Sequence, residues 1–329
     1  CKFILNYLKN RKQRTKIGDA YSRWLEIKWG VPQGSILGPL LFNIFINDIF
    51  FFIDKSYLAN YADDNTQYAT DKCLGDLLKL LENETSTVLK WFKIKEMKSN
   101  DDKCHLIVPN STDVSVNLGQ ECLKAEESVT LLGVIIDEKL DFADHVKSML
   151  RKGNQKLHAL ARISKYVGNE KLKLIMKTFI QSQFNYCPLL WMFHNRTLNN
   201  KINKLHERAL RIVYKNNCLD FQGLLDLDNN VTVHQKNLQR LAIEMYKVKN
   251  KIAPKPFQNM FKERVTSYNL RNDASWIIPK TRTVYYGTET VRYRGPLIWE
   301  TLPLQLKNAK SLQEFKYKIK SLKEIDCTC

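Results

Sequence analysis

Two adjacent carboxylates, Asp63 and Asp64, lie between two strand-like runs at residues 58–61 and 66–70. This arrangement predicts a hairpin with both aspartates at its turn, where the two side chains can reach outward together. Mg²⁺ takes hard oxygen ligands and usually shares them with a substrate phosphate. Two such ions about 3.5–4 Å apart can clamp the attacking and leaving oxygens of a phosphoryl transfer. Aspartates also populate turns for local hydrogen-bonding reasons, so the pair alone leaves both interpretations open.

A loop rich in glycine and proline precedes the aspartate pair. Residues 30–39 read Gly-Val-Pro-Gln-Gly-Ser-Ile-Leu-Gly-Pro and open into a mostly apolar run over residues 40–52. Pro39 suits a first helical turn, where its missing N–H costs little. Gly34 has no Cβ and therefore lets a ligand approach the backbone closely. The predicted order is strand, glycine loop, helix and then the hairpin with the two aspartates.

These motifs in this order resemble the palm of reverse transcriptases. The resemblance rests on Gly-Val-Pro-Gln-Gly-Ser at 30–35 and Tyr-Ala-Asp-Asp at 61–64. The residues that follow, Leu-Leu-Phe-Asn at 40–43 and Ile-Asn-Asp-Ile at 46–49, resemble the sequences of the non-LTR retrotransposon branch, of LINE or jockey type. A group II intron maturase is a less favoured member of the same enzyme class. The resemblance spans roughly residues 1–215 and weakly reaches the end of the chain.

The resemblance implies RNA-templated DNA synthesis, in which a primer 3′-hydroxyl attacks the α-phosphate of an incoming dNTP and pyrophosphate leaves. Its partners are an RNA template, a DNA primer or target, and dNTPs. Asp63 and Asp64 are expected to hold Mg²⁺, with two ions in the complete enzyme.

The resemblance also implies roles for five residues around these aspartates. Tyr61 is expected beneath the primer end, and Ala62 leaves room there. Gln33 and Gly34 are expected to border the nascent base pair. Lys103 is either the residue that protonates the leaving pyrophosphate or a solvated loop lysine.

The sequence lacks one carboxylate that the resemblance calls for, on a strand before residue 30. We expect that strand and the template-holding fingers to lie upstream, because the chain begins at Cys1 inside an amphipathic pattern. Asp19, Asp48 and Asp54 are not predicted on a strand beside the 63–64 turn, so we reject them as substitutes. The sequence therefore predicts an N-terminally truncated fragment that is inactive alone. The alternative is a non-catalytic relic or domesticated fragment that binds nucleic acid.

Composition favours a polyanionic partner. The 329 residues carry 52 Lys and Arg against 34 Asp and Glu, a net charge of +18. This excess favours nucleic acid, and its spread over residues 90–325 favours a lined groove over a disordered arm. The eight cysteines show no zinc-site spacing and predict reduced thiols. No run of eighteen apolar residues predicts a membrane span, and no targeting signal is visible, so an intracellular location is expected, with a nucleus possible from the resemblance.

The predicted fold class is α+β. It comprises a partial polymerase palm over residues 1–140, an all-helical thumb over 141–215, and a C-terminal helical and mixed region over 216–329. Helical and strand periodicities predict helices at 2–10, 40–52, 73–95, 145–164, 171–190, 199–214 and 235–249, a hairpin at 13–29 with its turn at Gly18–Asp19, a strand at 104–108, a strand pair ending at 129–137, and polar loops at 216–235. Aromatic residues and arginines at 268–299 are suited either to stacking on single-stranded bases or to packing a small subdomain.

Overall fold

The computed structural model describes residues 2–118, 121–193, 196–264 and 276–325. The chain forms two compact units, of which the first comprises Cys1–Leu106 with Thr112–Ala125 and the second Ile107–Ser111 with Glu126–Cys329. Both units mix helices with short antiparallel strand pairs, in agreement with the predicted α+β class. In the described parts of the chain every named strand pairs with one other strand, so each sheet has two strands.

The first unit follows the predicted order of strand, glycine loop, helix and hairpin. Its helices and strands are α1 (Lys2–Leu8), β1 (Arg11–Gln13), β2 (Lys16–Ile17), β3 (Ala20–Tyr21), β4 (Leu25–Ile27), α2 (Leu37–Ile46), a 3-10 helix (Asn47–Phe52), β5 (Tyr57–Tyr61), β6 (Asp64–Tyr68), α3 (Leu74–Ile94), a 3-10 helix (Asp101–Lys103), β7 (Ser115–Leu118) and β8 (Glu121–Lys124). The pairs are β1–β4, β2–β3, β5–β6 and β7–β8. The hairpin predicted over 13–29 is confirmed, with its turn at Gly18–Asp19. The strand predicted over 104–108 is reduced to a single bridge between Leu106 and Ala125.

A small apolar core holds the first unit together. Ile46, Ile49, Val88 and Trp91 are buried at its centre. They come from α2, the 3-10 helix that continues it, and α3, whose apolar residues recur at helical spacing along one face. Leu58 of β5 packs against the same cluster. The helix after the glycine loop and the hairpin therefore share one core.

The second unit is mainly helical. Its elements are β9 (Ser128–Leu131), β10 (Val134–Asp137), α4 (Ala143–Ile163), α5 (Asn169–Ile175), a π-helical turn (Met176–Ile180), a 3-10 helix (Gln181–Asn185), α6 (Pro188–Trp191), α7 (Arg196–Tyr214), α8 (Phe221–Leu227), α9 (Val233–Lys249), α10 (Lys255–Gln258), β11 (Lys262–Glu263), β12 (Trp276–Ile277), a π-helical turn (Val284–Thr288), α11 (Val291–Thr301), α12 (Leu304–Lys307) and α13 (Leu312–Ser321). The predicted strand pair is confirmed as β9–β10, with Leu132 and Gly133 at positive φ in its two-residue loop.

Two large apolar cores stabilise this unit. One is formed mainly by α4, α5 with the turns that follow it, and α7. The other is formed mainly by α9, α11 and α13. Tyr246 and Trp299 both stack on Phe315 in the second core, with ring centroids 4.5 Å and 6.2 Å away.

Two element predictions in the second unit are wrong. The single helix predicted over 171–190 is broken, because Cys187 adopts a left-handed backbone (φ 42°) and Pro188 starts a new helix. The loop predicted over 216–235 contains α8, whose N-terminus is capped by the Asp220 side chain accepting from the Gly223 amide at 2.8 Å.

The C-terminal aromatic and arginine stretch lies only partly within the described residues. Its residues 268–272 lie outside the described residues, as do the terminal cysteines at 327 and 329. Within α11, Gly295, Pro296 and Trp299 are buried, and Arg294 is buried with its guanidinium paired to Glu289 at 2.5 Å. For this segment the structure favours packing over base stacking.

Candidate active site

The two aspartates lie at the tip of the β5–β6 hairpin. Tyr61 pairs directly with Asp64, so the connecting loop consists of Ala62 and Asp63 alone. Ala62 has a φ of 54°, which is uncommon for a residue with a Cβ. The Asn65 side-chain amide donates to the backbone carbonyl of Asp63 at 3.0 Å and fixes the loop. Asp63 therefore occupies the turn, whereas Asp64 begins strand β6.

Both carboxylates are exposed to solvent. Among the described residues neither takes part in an ion pair or a side-chain hydrogen bond, so their oxygens are free to coordinate. Two hard carboxylates on adjacent residues suit a divalent cation with oxygen preference. Over the same residues, no group of three or more His, Cys, Asp or Glu side chains is placed to hold a metal ion.

The hairpin is anchored at its base by Glu84, a residue of α3. One oxygen of the Glu84 carboxylate accepts from the backbone amides of Asp54 at 3.3 Å and Lys55 at 2.7 Å. The other accepts from the Ser56 amide at 2.8 Å and from the Ser56 hydroxyl. This carboxylate therefore binds the segment that leads into β5.

Strand β6 of the hairpin joins the same network. The Gln67 side-chain amide of β6 donates to the Ser56 hydroxyl at 2.8 Å. The Thr85 hydroxyl of α3 donates to the Gln67 carbonyl oxygen at 2.8 Å. The segment that leads into β5 and strand β6 itself are thus bonded to two consecutive residues of α3, Glu84 and Thr85.

Glu84 is ionised in this network. Burial alone would raise its pKa, but hydrogen bonds from the Ser56 hydroxyl and from the amides of Lys55, Ser56 and Asp54 lower the pKa below its ordinary value. Sequence reasoning missed this residue, because a glutamate on the polar side of an amphipathic helix ordinarily faces solvent. The only available signal was a cluster of polar residues at 82–87 within an apolar helix.

The glycine loop is shaped by specific backbone and side-chain requirements. Gly34 has a φ of +77°, which L side chains rarely adopt, and no atom lies within 4 Å of where its Cβ would be. The Ser35 hydroxyl donates to the Pro32 carbonyl at 2.8 Å and accepts from the Gly38 amide at 3.0 Å. A Cβ on Gly38 would meet both the Pro32 carbonyl and the Ser35 hydroxyl at 3.0 Å. The loop is therefore fixed where it enters α2 and open at Gly34.

The other predicted site residues lie on the surface of the first unit. Gln33, Tyr61 and Lys103 are exposed, and Lys103 ends a short 3-10 helix after α3. Leu58 and Phe42 contact one core, which ties the hairpin to the helix after the glycine loop. No described contact joins Lys103 to the two aspartates.

The three rejected carboxylates also have defined surroundings. Asp48 pairs with Lys95 at 2.7 Å beside the small core, Asp19 lies in the β2–β3 turn, and Asp54 precedes β5. None of the three belongs to a strand beside the aspartate turn.

Comparison with known proteins agrees with the motifs. Residues 2–136 match the family model described as "Reverse transcriptase (RNA-dependent DNA polymerase)". This part of the chain is therefore similar to reverse transcriptases. Reverse transcriptases are enzymes, and the two Drosophila relatives named below, from transposon BS and mobile element jockey, support the non-LTR, jockey-like branch.

Three curated relatives illustrate the similarity. The probable RNA-directed DNA polymerase from transposon BS of Drosophila melanogaster is 26% identical over 225 residues, covering 64% of this chain and 25% of the relative. The RNA-directed DNA polymerase from mobile element jockey of the same species is 25% identical, covering 63% and 24%. A Pol polyprotein from the R1 2 retrotransposable element of Nasonia vitripennis is 26% identical, covering 49% and 43%.

The chain spans about a quarter of the length of the two Drosophila relatives. No solved structure gives a significant match to it. Across the described helices, none is long and apolar enough to cross a lipid bilayer.

Proposed function

We propose that this chain forms part of an RNA-directed DNA polymerase and that Asp63 and Asp64 are two of its metal ligands. The observation that carries the proposal is a pair of free, exposed carboxylates on a two-residue hairpin loop. The hairpin is held by the Glu84 network and the Leu58 contact. On this view residues 1–140 are palm, 141–215 are thumb, and 216–329 form a C-terminal region.

The proposed reaction joins a primer 3′-hydroxyl to the α-phosphate of a dNTP chosen by an RNA template, and pyrophosphate leaves. Divalent cations, Mg²⁺ in this proposal, neutralise charge at the reacting phosphate when bound. Asp63 and Asp64 supply carboxylate oxygens, and Tyr61, which pairs with Asp64 across the hairpin, is proposed to lie beneath the primer end. Gln33 and Gly34 border the base pair, and the open space at Gly34 supports close approach. Lys103 is proposed to give a proton to pyrophosphate.

Primer extension tests the catalytic proposal in a polymerase that includes these residues together with an upstream segment. We expect Asp63→Asn to lower the rate by at least about a hundredfold, as removal of one electrostatic element at a reacting centre does. Asp54→Asn is the matched control, because Asp54 is an exposed aspartate that precedes β5 and lies outside the hairpin loop. Unchanged extension by the Asp63 variant would overturn the assignment.

Metal binding gives a second readout that needs no activity. The 329-residue chain should bind Mn²⁺ weakly, as detected by loss of the free-ion electron paramagnetic resonance signal. Asp63→Asn combined with Asp64→Asn should abolish that binding, while Asp54→Asn should preserve it. Equal binding by all three proteins would contradict a metal site at the hairpin tip.

A non-catalytic nucleic-acid-binding function is the second candidate. It is favoured by the net charge of +18 together with the lack of a three-ligand metal cluster among the described residues. Asp63→Ala should then leave affinity for nucleic acid unchanged, and no form of the protein should extend a primer. Binding that does not weaken with salt would count against both functions, since both require phosphate contacts.

A further inference from the structure

The β1–β4 segment forms a narrow antiparallel ribbon that no proposed catalytic role uses. Arg11–Gln13 pair with Leu25–Ile27, and Lys16–Ile17 pair with Ala20–Tyr21. Between these pairs, the Ser22 amide donates to the Thr15 carbonyl at 3.0 Å and the Thr15 amide donates to the Ser22 hydroxyl at 2.9 Å. The ribbon is therefore continuous from residue 11 to residue 27.

Both faces of this ribbon are open. From residue 12 to residue 30 every residue is exposed except Ile27, which is half-buried. Tyr21 and Trp24 keep 51% and 57% of their surface accessible. A two-stranded ribbon is marginally stable in water without a covered face. A partner that covers these rings would therefore stabilise the ribbon.

Cations and aromatic rings alternate on the ribbon. The Arg14 guanidinium carbon lies 4.0 Å from the centre of the Tyr21 ring and 4.7 Å from that of Trp24. The Lys16 ammonium lies 5.2 Å from the Tyr21 ring centre. Residues 9–28 contain seven lysines and arginines against Asp19 and Glu26. Arg14 and Lys16 thus lie against the rings, in a segment with an excess of positive charge.

We propose that this ribbon binds single-stranded nucleic acid, with bases stacked on Tyr21 and Trp24 and phosphates on the surrounding lysines and arginines. Stacking on aromatic rings beside a basic backbone track is how sequence-tolerant single-strand binding is built. A duplex hides the faces of its bases, so it would contact only the charged side chains of the ribbon. An apolar protein partner would instead bury these charges without compensation.

Anisotropy of a labelled oligonucleotide tests the ribbon with the 329-residue chain in EDTA. Tyr21→Ala combined with Trp24→Ala should weaken binding of oligouridylate by about tenfold or more, with duplex affinity unchanged. Arg14→Ala combined with Lys16→Ala should reduce the slope of log K against log salt concentration by about two, because two phosphate contacts are lost. Lys12→Ala, which removes a charge opposite Glu26 without touching a ring, is the control for charge alone. Oligothymidylate in a parallel titration distinguishes a DNA strand from an RNA strand.

Tryptophan fluorescence reports the stacking directly. Of the six tryptophans, Trp91, Trp191, Trp276 and Trp299 are buried, whereas Trp24 and Trp29 are exposed. In a Trp29→Phe background, stacked bases should quench Trp24 on binding. Absence of quenching, or wild-type single-strand affinity in the double-alanine variant, would overturn the proposal. Because EDTA removes metal ions from the binding assay, neither of these results bears on the catalytic proposal. That proposal is tested separately by primer extension.

Discussion

Glu84 shows how one carboxylate can position others that it does not touch. Three backbone amides and one hydroxyl converge on it at the base of the hairpin whose tip carries Asp63 and Asp64. The free pair at the tip and the fully bonded carboxylate at the base have opposite roles. Under the proposed function the tip keeps its oxygens for a metal ion, whereas Glu84 at the base uses its oxygens to hold the segment that leads into β5.

Replacing Glu84 should loosen this hairpin. Glu84→Ala leaves the amides of Lys55 and Ser56 without an acceptor and should destabilise the first unit by about 1–3 kcal/mol. Because the folded pKa of Glu84 is lowered, its contribution is present above the ordinary glutamate pKa and is lost as the pH falls through the lowered value. Thermal unfolding of wild type and variant across acidic pH measures both effects.

Glu82 provides the matched control, since it lies on the same helix and accepts from the Asn117 amide and side chain at 2.8 Å and 3.0 Å. Glu82→Ala should lower stability without changing hydrogen exchange at residues 54–58. Identical exchange profiles for the Glu82 and Glu84 variants would show that Glu84 does not hold the hairpin.

At the scale of elements, a buried carboxylate joins three helices of the second unit. The Asp228 side chain, with no exposed surface, accepts from the Lys173 ammonium at 2.9 Å. The Tyr214 hydroxyl and the Asn230 amide donate to it at 2.7 Å and 2.8 Å. Lys173 belongs to α5, Tyr214 ends α7, and Asp228 follows α8.

Removing this carboxylate should destabilise the helical unit strongly. Burial alone would raise the pKa of Asp228, but hydrogen bonds from Lys173, Asn230 and Tyr214 lower it. Its stabilisation is therefore lost as the pH falls through the lowered value. Asp228→Asn should cost about 3 kcal/mol at neutral pH, because Lys173 loses its charge partner. Urea unfolding measures this cost.

Asp226 is the natural control for this prediction. It pairs with Lys323 at 2.7 Å, but both side chains are about half exposed. Asp226→Asn should therefore cost far less stability than Asp228→Asn, because solvent screens an exposed ion pair. A similar cost for both variants would show that burial of the Asp228 network contributes nothing.

The sequence predicted elements best where turn residues or apolar periodicity gave a strong local signal. The Gly18–Asp19 turn and the 61–64 hairpin follow from turn residues between short strands, although Asp64 belongs to the strand rather than the turn. Asp220 is an N-cap signal that the polar composition of 216–235 obscured. The bonding of Glu84 to residues 54–56 depends on a tertiary contact about thirty positions away, which no local pattern encodes. The roles of Asp63, Asp64, Lys103 and the other proposed site residues remain predictions.

At the scale of the whole molecule, the two units differ in how much apolar surface they bury. The first unit has a small cluster around Trp91, whereas the second has two large ones. In the first unit Ile36 and Phe51 expose 96% and 84% of their surface. Exposed apolar side chains of this size promote association where they lie together, so we expect the isolated chain to be poorly soluble.

Hydrogen exchange should therefore distinguish the units. Amides of α4, α7 and α9 should exchange most slowly, and those of β1–β6 fastest, because local opening is easiest where few apolar contacts are lost. Mass spectrometry of peptides after timed deuterium labelling measures this order. Uniform protection across both units would show that the chain opens as one cooperative body.

The chain passes between the units three times, at residues 106–107, 111–112 and 125–126. Residues 107–111 are bonded into the second unit, where Asn110 donates to the Glu138 carbonyl and accepts from the Tyr286 hydroxyl. Residues 112–125 return to the first unit, where Asn117 bonds α3. This interleaving of the two units has a genetic consequence. After a single crossover at residue 125, residues 107–111 come from one parent and the rest of the second unit comes from the other. Exchange of one whole unit requires three crossovers. In functional recombinants between diverged copies, residues 107–111 should therefore stay compatible with the second unit and residues 112–125 with the first.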